Sequence, residues 1–170
     1  MAPGREIAGK TVGIIGMGAI GQRTAVLAQA FGCRVIAWNR TPKQVAGVTF
    51  VDKETLLKEA DIVALHIALN NETRDFLTAK DFAMMKSSAI IVNAARGPVV
   101  NTADLAEALK KGVIAGAALD VYDGEPPLSA ENPILGAPNT MLLPHVGFAT
   151  KEAFLLRLGI VVKNVENFIS

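Results

Sequence analysis

Residues 11–21 read Thr-Val-Gly-Ile-Ile-Gly-Met-Gly-Ala-Ile-Gly, an apolar strand running straight into a turn whose glycines fall at 16, 18 and 21. In a GxGxxG turn the three glycines do different work. Gly16 makes the tight turn, Gly18 lets backbone approach a pyrophosphate, and Gly21 lets the next helix pack closely on the strand. A helix entered this way points unpaired amides and the positive end of its dipole at the anion, so no lysine is needed. Val12, Ile14 and Ile15 supply the strand, and 20–31 supplies an apolar-faced helix stopped by Gly32. The motif therefore has its required context on both sides and predicts a dinucleotide site.

The rest of the chain repeats the strand-then-helix rhythm. Strands are expected at 34–38, 47–51, 61–66, 89–93, 113–121 and 141–143. Helices are expected after Asp52 to residue 60, at 82–85, at 102–111 and over 151–169, the last an amphipathic helix capped by Thr150. Residues 39–46 and 123–138 read as loop, the second because prolines and turn formers interrupt any ladder. Alternation of this kind implies parallel pairing with right-handed crossovers, hence an α/β fold with a doubly wound, mostly parallel sheet of the Rossmann type, as one dinucleotide-binding domain over 1–170.

Bulk properties narrow the function further. A chain of 170 residues, 51% hydrophobic and 19% charged, suits a sheet buried on both faces. No apolar run reaches the length of a membrane span, and the amino end has no apolar signal core, so a cytoplasmic protein without a membrane partner is expected. Net charge is +1 with basic residues scattered, which argues against a nucleic-acid partner. Cys33 is the only cysteine and opens an apolar strand, the setting of a buried, inert thiol. No metal site is expected.

Ligands of such sheets lie beyond the carboxyl ends of the strands, and most polar candidates fall there. Roughly 20 residues past the glycines, where an acidic side chain would hold the ribose hydroxyls of NAD, the chain has Asn39-Arg40-Thr41. Arg40 can meet a 2′-phosphate with a charge-assisted contact, and Asn39 and Thr41 can add neutral hydrogen bonds, so NADP is expected ahead of NAD. A merely solvated Arg40 would leave NAD as the second choice. Three further groups stand at strand ends: Arg96, Glu125 and His145. Reduction of a 2-oxo acid by hydride needs a cation to hold the carboxylate and polarise the carbonyl, and an acid to protonate the new alkoxide. Arg96 and His145 suit those roles, with Glu125 able to hydrogen-bond the imidazole and favour its protonated form.

Three longer stretches carry a family likeness. They are residues 92–100 (Val-Asn-Ala-Ala-Arg-Gly-Pro-Val-Val), 116–122 with Glu125-Pro126 (Gly-Ala-Ala-Leu-Asp-Val-Tyr), and 143–147 with Ala149-Thr150 (Leu-Pro-His-Val-Gly). Together with the glycine turn, and in this order over nearly the whole chain, they resemble the D-isomer-specific 2-hydroxyacid dehydrogenases. The resemblance implies that Arg96 binds substrate, Glu125 is the partner carboxylate and His145 the acid/base. It places Asp120 against the nicotinamide carboxamide and the amides of Ala19 and Ile20 at the pyrophosphate. Ile67, Ala68 and Thr73 become the adenosine-side wall, Ala94 and Ala95 backbone contacts near the nicotinamide, and Gly147 part of the same lining. His66 matches a histidine of that wall, with a core histidine as the alternative.

Ala68, Asn101 and Phe148 depart from the usual pattern; the first two read as structural, whereas Phe148 sits beside His145 and bears on the substrate. The likeness also implies a substrate domain that this chain lacks, a homodimer, and a glyoxylate- or hydroxypyruvate-type reductase of which this chain alone binds cofactor with little turnover. A dinucleotide-sensing interaction protein of the same family is the alternative.

Overall fold

The computed structural model describes residues 4, 6–41 and 43–169. Met1 to Pro3 and Arg5 of the amino end, Pro42 of the expected 39–46 loop, and Ser170 lie outside them. Seven parallel strands form one sheet: β1 (Thr11–Ile15), β2 (Arg34–Trp38), β3 (Val48–Phe50), β4 (Ile62–Leu65), β5 (Ile90–Asn93), β6 (Gly116–Leu119) and β7 (Thr140–Leu142). Their spatial order is β3-β2-β1-β4-β5-β6-β7, so the chain winds outward from β1 in one direction and then from β4 in the other. Helices α1 (Ala19–Ala30), α2 (Lys53–Glu59), α3 (Ala79–Phe82), α4 (Thr102–Lys110) and α5 (Lys151–Ile169) complete the fold.

The two-face winding is written in β1 and β2. Val12 and Ile14 pack with Val35, Ala37 and Ala25 in one cluster on the α1 side. Ile15 and Ile36 belong to the larger cluster on the other side, with Leu56, Leu57, Phe82, Ile91 and Leu105. Gly13 shows how closely α2 approaches: a Cβ there would lie 2.7 Å from Leu56 Cδ2. Successive residues of a strand point to opposite faces, so this split is what a doubly wound sheet requires. Beyond β4, the α1 side is less covered. Ile90 and Met141 remain exposed beside Gly116 and Thr140 in an open apolar recess.

Local capping explains the helix starts. Asp52 accepts from the Thr55 amide at 2.8 Å, and Asn101 from the Asp104 amide at 3.0 Å, so Asn101 performs the capping role that an acidic residue would. The expected 82–85 helix lies earlier, at Ala79–Phe82, because Thr78 and Asp81 form a reciprocal capping box that starts it. The expected 123–138 loop contains a 3₁₀ turn, Pro133–Gly136, whose Ile134 is fully buried. Another such turn, Gly97–Val99, follows β5. The strand expected at 113–121 contracts to β6. The terminal helix is present and Thr150 caps it through the Ala153 amide. It does not behave as one-sided, however: none of its residues is buried, and Leu155, Leu156 and Ile160 are exposed as well as the expected apolar stripe. No helix among the described residues is long and apolar enough to cross a membrane.

Candidate functional site

The sheet order lines up the predicted side chains along one edge. The glycine turn follows β1, His66 follows β4, Arg96 follows β5, Glu125 follows β6 and His145 follows β7, so they succeed one another in space in that order.

At the turn, Gly16 has φ +101°, and a Cβ would lie 2.8 Å from the His66 carbonyl. The turn is stapled on both sides, by Gly16 N donating to Trp38 O at 2.9 Å and His66 N donating to Ile15 O at 2.8 Å. At Gly21 a Cβ would lie only 2.1 Å from Gly16 O, which is why α1 can start so close to the strand. Gly18 is the opposite case: a Cβ there would meet nothing within 4 Å. Gly18 is also the residue preceding α1, and no side chain caps the helix. Open space, free amides and the positive helix end coincide where a pyrophosphate would sit, with Ala19 and Ile20 as the first helical residues. The site therefore fits a dinucleotide on the chemistry of its own donors.

Beside the turn lies a recess of roughly 560 Å³ that brings together Gly16, Gly18, Asn39, Arg40, Thr41, His66, Ile67, Ala68 and Thr73 with Trp38, Asn70, Glu72 and Phe76. Asn39 is engaged within the chain itself. Its Oδ1 accepts from Met17 N at 2.9 Å and its Nδ2 donates to Thr41 O at 2.6 Å, so both ends of the carboxamide hold the turn and its flanking loop. Arg40 is exposed and ion-paired to Glu72 at 2.8 Å. Lys43 Nζ donates to Met17 O at 3.1 Å, reaching the turn from the same loop. Ala68 serves as backbone, its carbonyl accepting from Thr73 Oγ1 at 2.7 Å.

His66 is half-buried, and burial holds its imidazole below the ordinary range, hence neutral near pH 7. Its Nε2 lies 3.1 Å from Thr24 Oγ1, which is itself 3.1 Å from Ile20 O. A hydroxyl has one proton, so if both bonds are made, Thr24 donates to the carbonyl, His66 Nε2–H donates to Thr24, and Nδ1 is left as an acceptor.

Arg96 is exposed in a second recess with Ile20, His66, Ile67, Ala68, Ala94 and Ala95. Its loop is fixed by buried Asn93, which donates through Nδ2 to Arg96 O and accepts from Ala95 N. Gly97 joins this loop to the next: a Cβ there would fall 1.9 Å from the Tyr122 carbonyl carbon. Glu125 and His145 line a third recess, apolar apart from them, with Tyr122, Leu128, Leu142 and Phe148. Here His145 Nδ1 stands 2.9 Å from Glu125 Oε1. A carboxylate can only accept, so Nδ1 carries the proton and Nε2 is left for chemistry.

The backbone at His145 is left-handed, φ +54°, uncommon for a residue with a Cβ. Asp120 holds it there. Its two carboxylate oxygens accept from the amides of Val146 and Gly147 at 2.8 and 2.7 Å, clamping the two residues that follow. A Cβ at Gly147 would lie 2.8 Å from the same carboxylate. Tyr122 holds the preceding side, its hydroxyl lying 2.8 Å from Leu143 O and 3.2 Å from Leu119 O; burial pushes the phenol up. The ring of Phe148 meets His145 edge-on at 5.8 Å, and the Arg157 guanidinium covers the Phe148 ring at 4.6 Å. Asp120 and Tyr122 are thus engaged with the His145 loop in this structure, Asn93 with the Arg96 loop and Glu72 with Arg40, roles the sequence does not announce.

Residues 1–147 match the family described as D-isomer specific 2-hydroxyacid dehydrogenase, NAD binding domain. The glyoxylate reductase of Thermococcus litoralis is 44% identical over 169 residues, 97% of this chain and 50% of its own length. A D-isomer specific 2-hydroxyacid dehydrogenase from Lactobacillus delbrueckii ssp. bulgaricus, solved in its NAD complexed form, is similar with a TM-score of 0.85 and 34% identity, over 94% of this chain and 53% of that one. An acyclic imino acid reductase in complex with NADPH and D-Arg reaches 0.87 at 36% identity, over 97% of this chain and 52% of that one. The chain spans about half the length of the relatives it matches.

Proposed function

The chain belongs to the D-isomer specific 2-hydroxyacid dehydrogenases, over their NAD binding domain, and from that premise we propose that it is the dinucleotide-binding half of an oxidoreductase interconverting 2-oxo acids and D-2-hydroxy acids. The reading is of a glyoxylate- or hydroxypyruvate-type reductase working with NADP(H) ahead of NAD(H). The observation that carries it is the His145–Glu125 pair at 2.9 Å, standing on the same sheet edge as an uncapped glycine turn.

When bound, the reduced nicotinamide supplies the hydride. The chain's own residues do the rest. Arg96 holds the substrate carboxylate and draws electron density toward the carbonyl oxygen. His145 Nε2 gives that oxygen its proton as it becomes an alkoxide, while Glu125, bonded to Nδ1, keeps the ring oriented. Asp120 and Tyr122 fix the loop that aims the imidazole. In the oxidative direction the same Nε2 takes the proton back. Arg40, with no carboxylate following β2, supports NADP(H).

Apolar side chains of α1 and α5 are exposed in this chain, surface that a substrate domain and a second copy would cover under this reading. Without the opposite wall, a 2-oxo acid stays solvated and poorly oriented, so the chain alone is expected to bind cofactor and turn over little. The test is NADPH-dependent reduction of glyoxylate and hydroxypyruvate, by the chain and by a chimera seating it between the substrate-domain segments of the T. litoralis relative. Turnover only in the chimera supports the reading. An inactive chimera that folds and binds NADPH sinks it, and robust turnover by the chain alone refutes the need for a second domain.

A further inference from the structure

Arg40 and Glu72 come from different loops, after β2 and after β4, and meet in the recess beside the glycine turn, Nη1 to Oε2 at 2.8 Å. Both side chains are more than two-thirds exposed, 73% and 72%, so the pair spans solvent instead of packing on the core. The backbone beneath Glu72 is nevertheless closed. Asn70 Oδ1 accepts from the Glu72 and Thr73 amides at 2.9 and 3.0 Å, and Thr73 Oγ1 ties the turn to Ala68 O. The carboxylate is therefore presented toward Arg40 by a built turn.

We propose that Glu72 is a specificity-determining residue, a carboxylate that competes with the ribose 2′-phosphate for Arg40. The inference rests on the reading of this recess as the adenosine-ribose site. With Arg40 alone, the loop after β2 would favour NADP(H) outright. With Glu72 in place, a 2′-phosphate has to displace one carboxylate and lie near its negative charge. An unphosphorylated ribose leaves the ion pair standing and can donate a 2′-hydroxyl to the same carboxylate. The acidic group that NAD sites usually carry at the end of the second strand is here delivered from the opposite wall. Exposed ion pairs are weak and a phosphate makes stronger charge-assisted bonds, so Glu72 mutes the NADP preference without reversing it.

The test is calorimetric titration of the full chain with NADPH and with NADH, for wild type, Glu72→Gln, Arg40→Gln and the double variant. Glu72→Gln is expected to tighten NADPH about three- to tenfold and to leave NADH unchanged or slightly weaker. In the Arg40→Gln background the gain should vanish, because its source is the freed guanidinium. NADPH affinity that is unchanged or lower in Glu72→Gln, or an equal gain for both dinucleotides, overturns the proposal while leaving the recess as the cofactor site. Failure of wild type to bind either dinucleotide overturns the site reading and this inference with it.

Discussion

The two ends of the site are built by different means. Around Gly16–Gly21 the geometry is made of backbone: a positive φ, a helix start pressed on a strand, and amides left free, all surrounded by the buried residues of β1 and β4. Around His145 it is made of side chains holding an exposed loop, with Asp120 gripping two amides and Tyr122 a carbonyl. A dinucleotide phosphate needs only dipoles at fixed positions, which backbone supplies and protects by packing. A proton transfer needs one imidazole nitrogen aimed and the other occupied, which requires polar side chains near solvent. Substitutions at the packed positions of the first end, such as Gly21, should therefore damage folding and binding together, and loss of the exposed imidazole at the second should damage chemistry while sparing the fold.

The largest expected effect is at His145. His145→Gln in the chimera should lower kcat about 10²–10⁴-fold, while the urea midpoint of the isolated chain stays put, because the side chain is 43% exposed. A shifted midpoint would blur the distinction between the two ends. Next comes Gly21→Ala, whose Cβ would press on Gly16 O at 2.1 Å. A loss of about 2–4 kcal/mol in urea unfolding is expected, together with loss of NADPH binding. Unchanged stability would mean that the close approach of helix and strand is not needed.

Asp120→Asn offers one acceptor where two amides need one each, and turns an NH₂ toward an N–H. It is expected to cost about 1.5–3 kcal/mol and to lower kcat in the chimera with NADPH affinity kept; lost affinity with kcat preserved would place Asp120 on the cofactor instead. Smallest is a pH effect at His66. Burial lowers its folded pKa below the ordinary 6.5, so the unfolded chain takes up the proton first as pH falls. The contribution is full above 6.5 and is lost as pH drops from there to the lowered folded value. Urea midpoints should fall between pH 7.5 and 5.5, and fall less in His66→Gln; parallel curves for the two proteins would mean that His66 does not contribute to this pH dependence.

The same contrast governs what could be read before the fold was known. The glycine turn, the strand alternation and the Asp52 cap are local signals, legible within a few residues. The family likeness reaches Arg96, Glu125 and His145 because their motifs are also short. What escaped are contacts between distant segments. Asn39 reaches Met17 across 22 positions, Asp120 reaches Val146 and Gly147 across 26 and 27, and Arg40 reaches Glu72 across 32. Each residue looks like an ordinary loop polar group until parallel pairing brings its partner alongside. The Thr78 capping box was the exception, a local signal set earlier than the apolar cluster that marks the helix.

Under this reading it is the backbone of the glycine turn that holds a dinucleotide. Gly18 isolates it, since a Cβ there meets nothing within 4 Å in the protein alone. Calorimetric titration of NADPH into wild type and Gly18→Val should show one NADPH bound per wild-type chain and affinity at least about tenfold weaker in the variant, a difference of about 1.4 kcal/mol or more, with thermal unfolding of the free proteins nearly matched. Equal affinity in the two proteins, or no binding to the wild type, would contradict it.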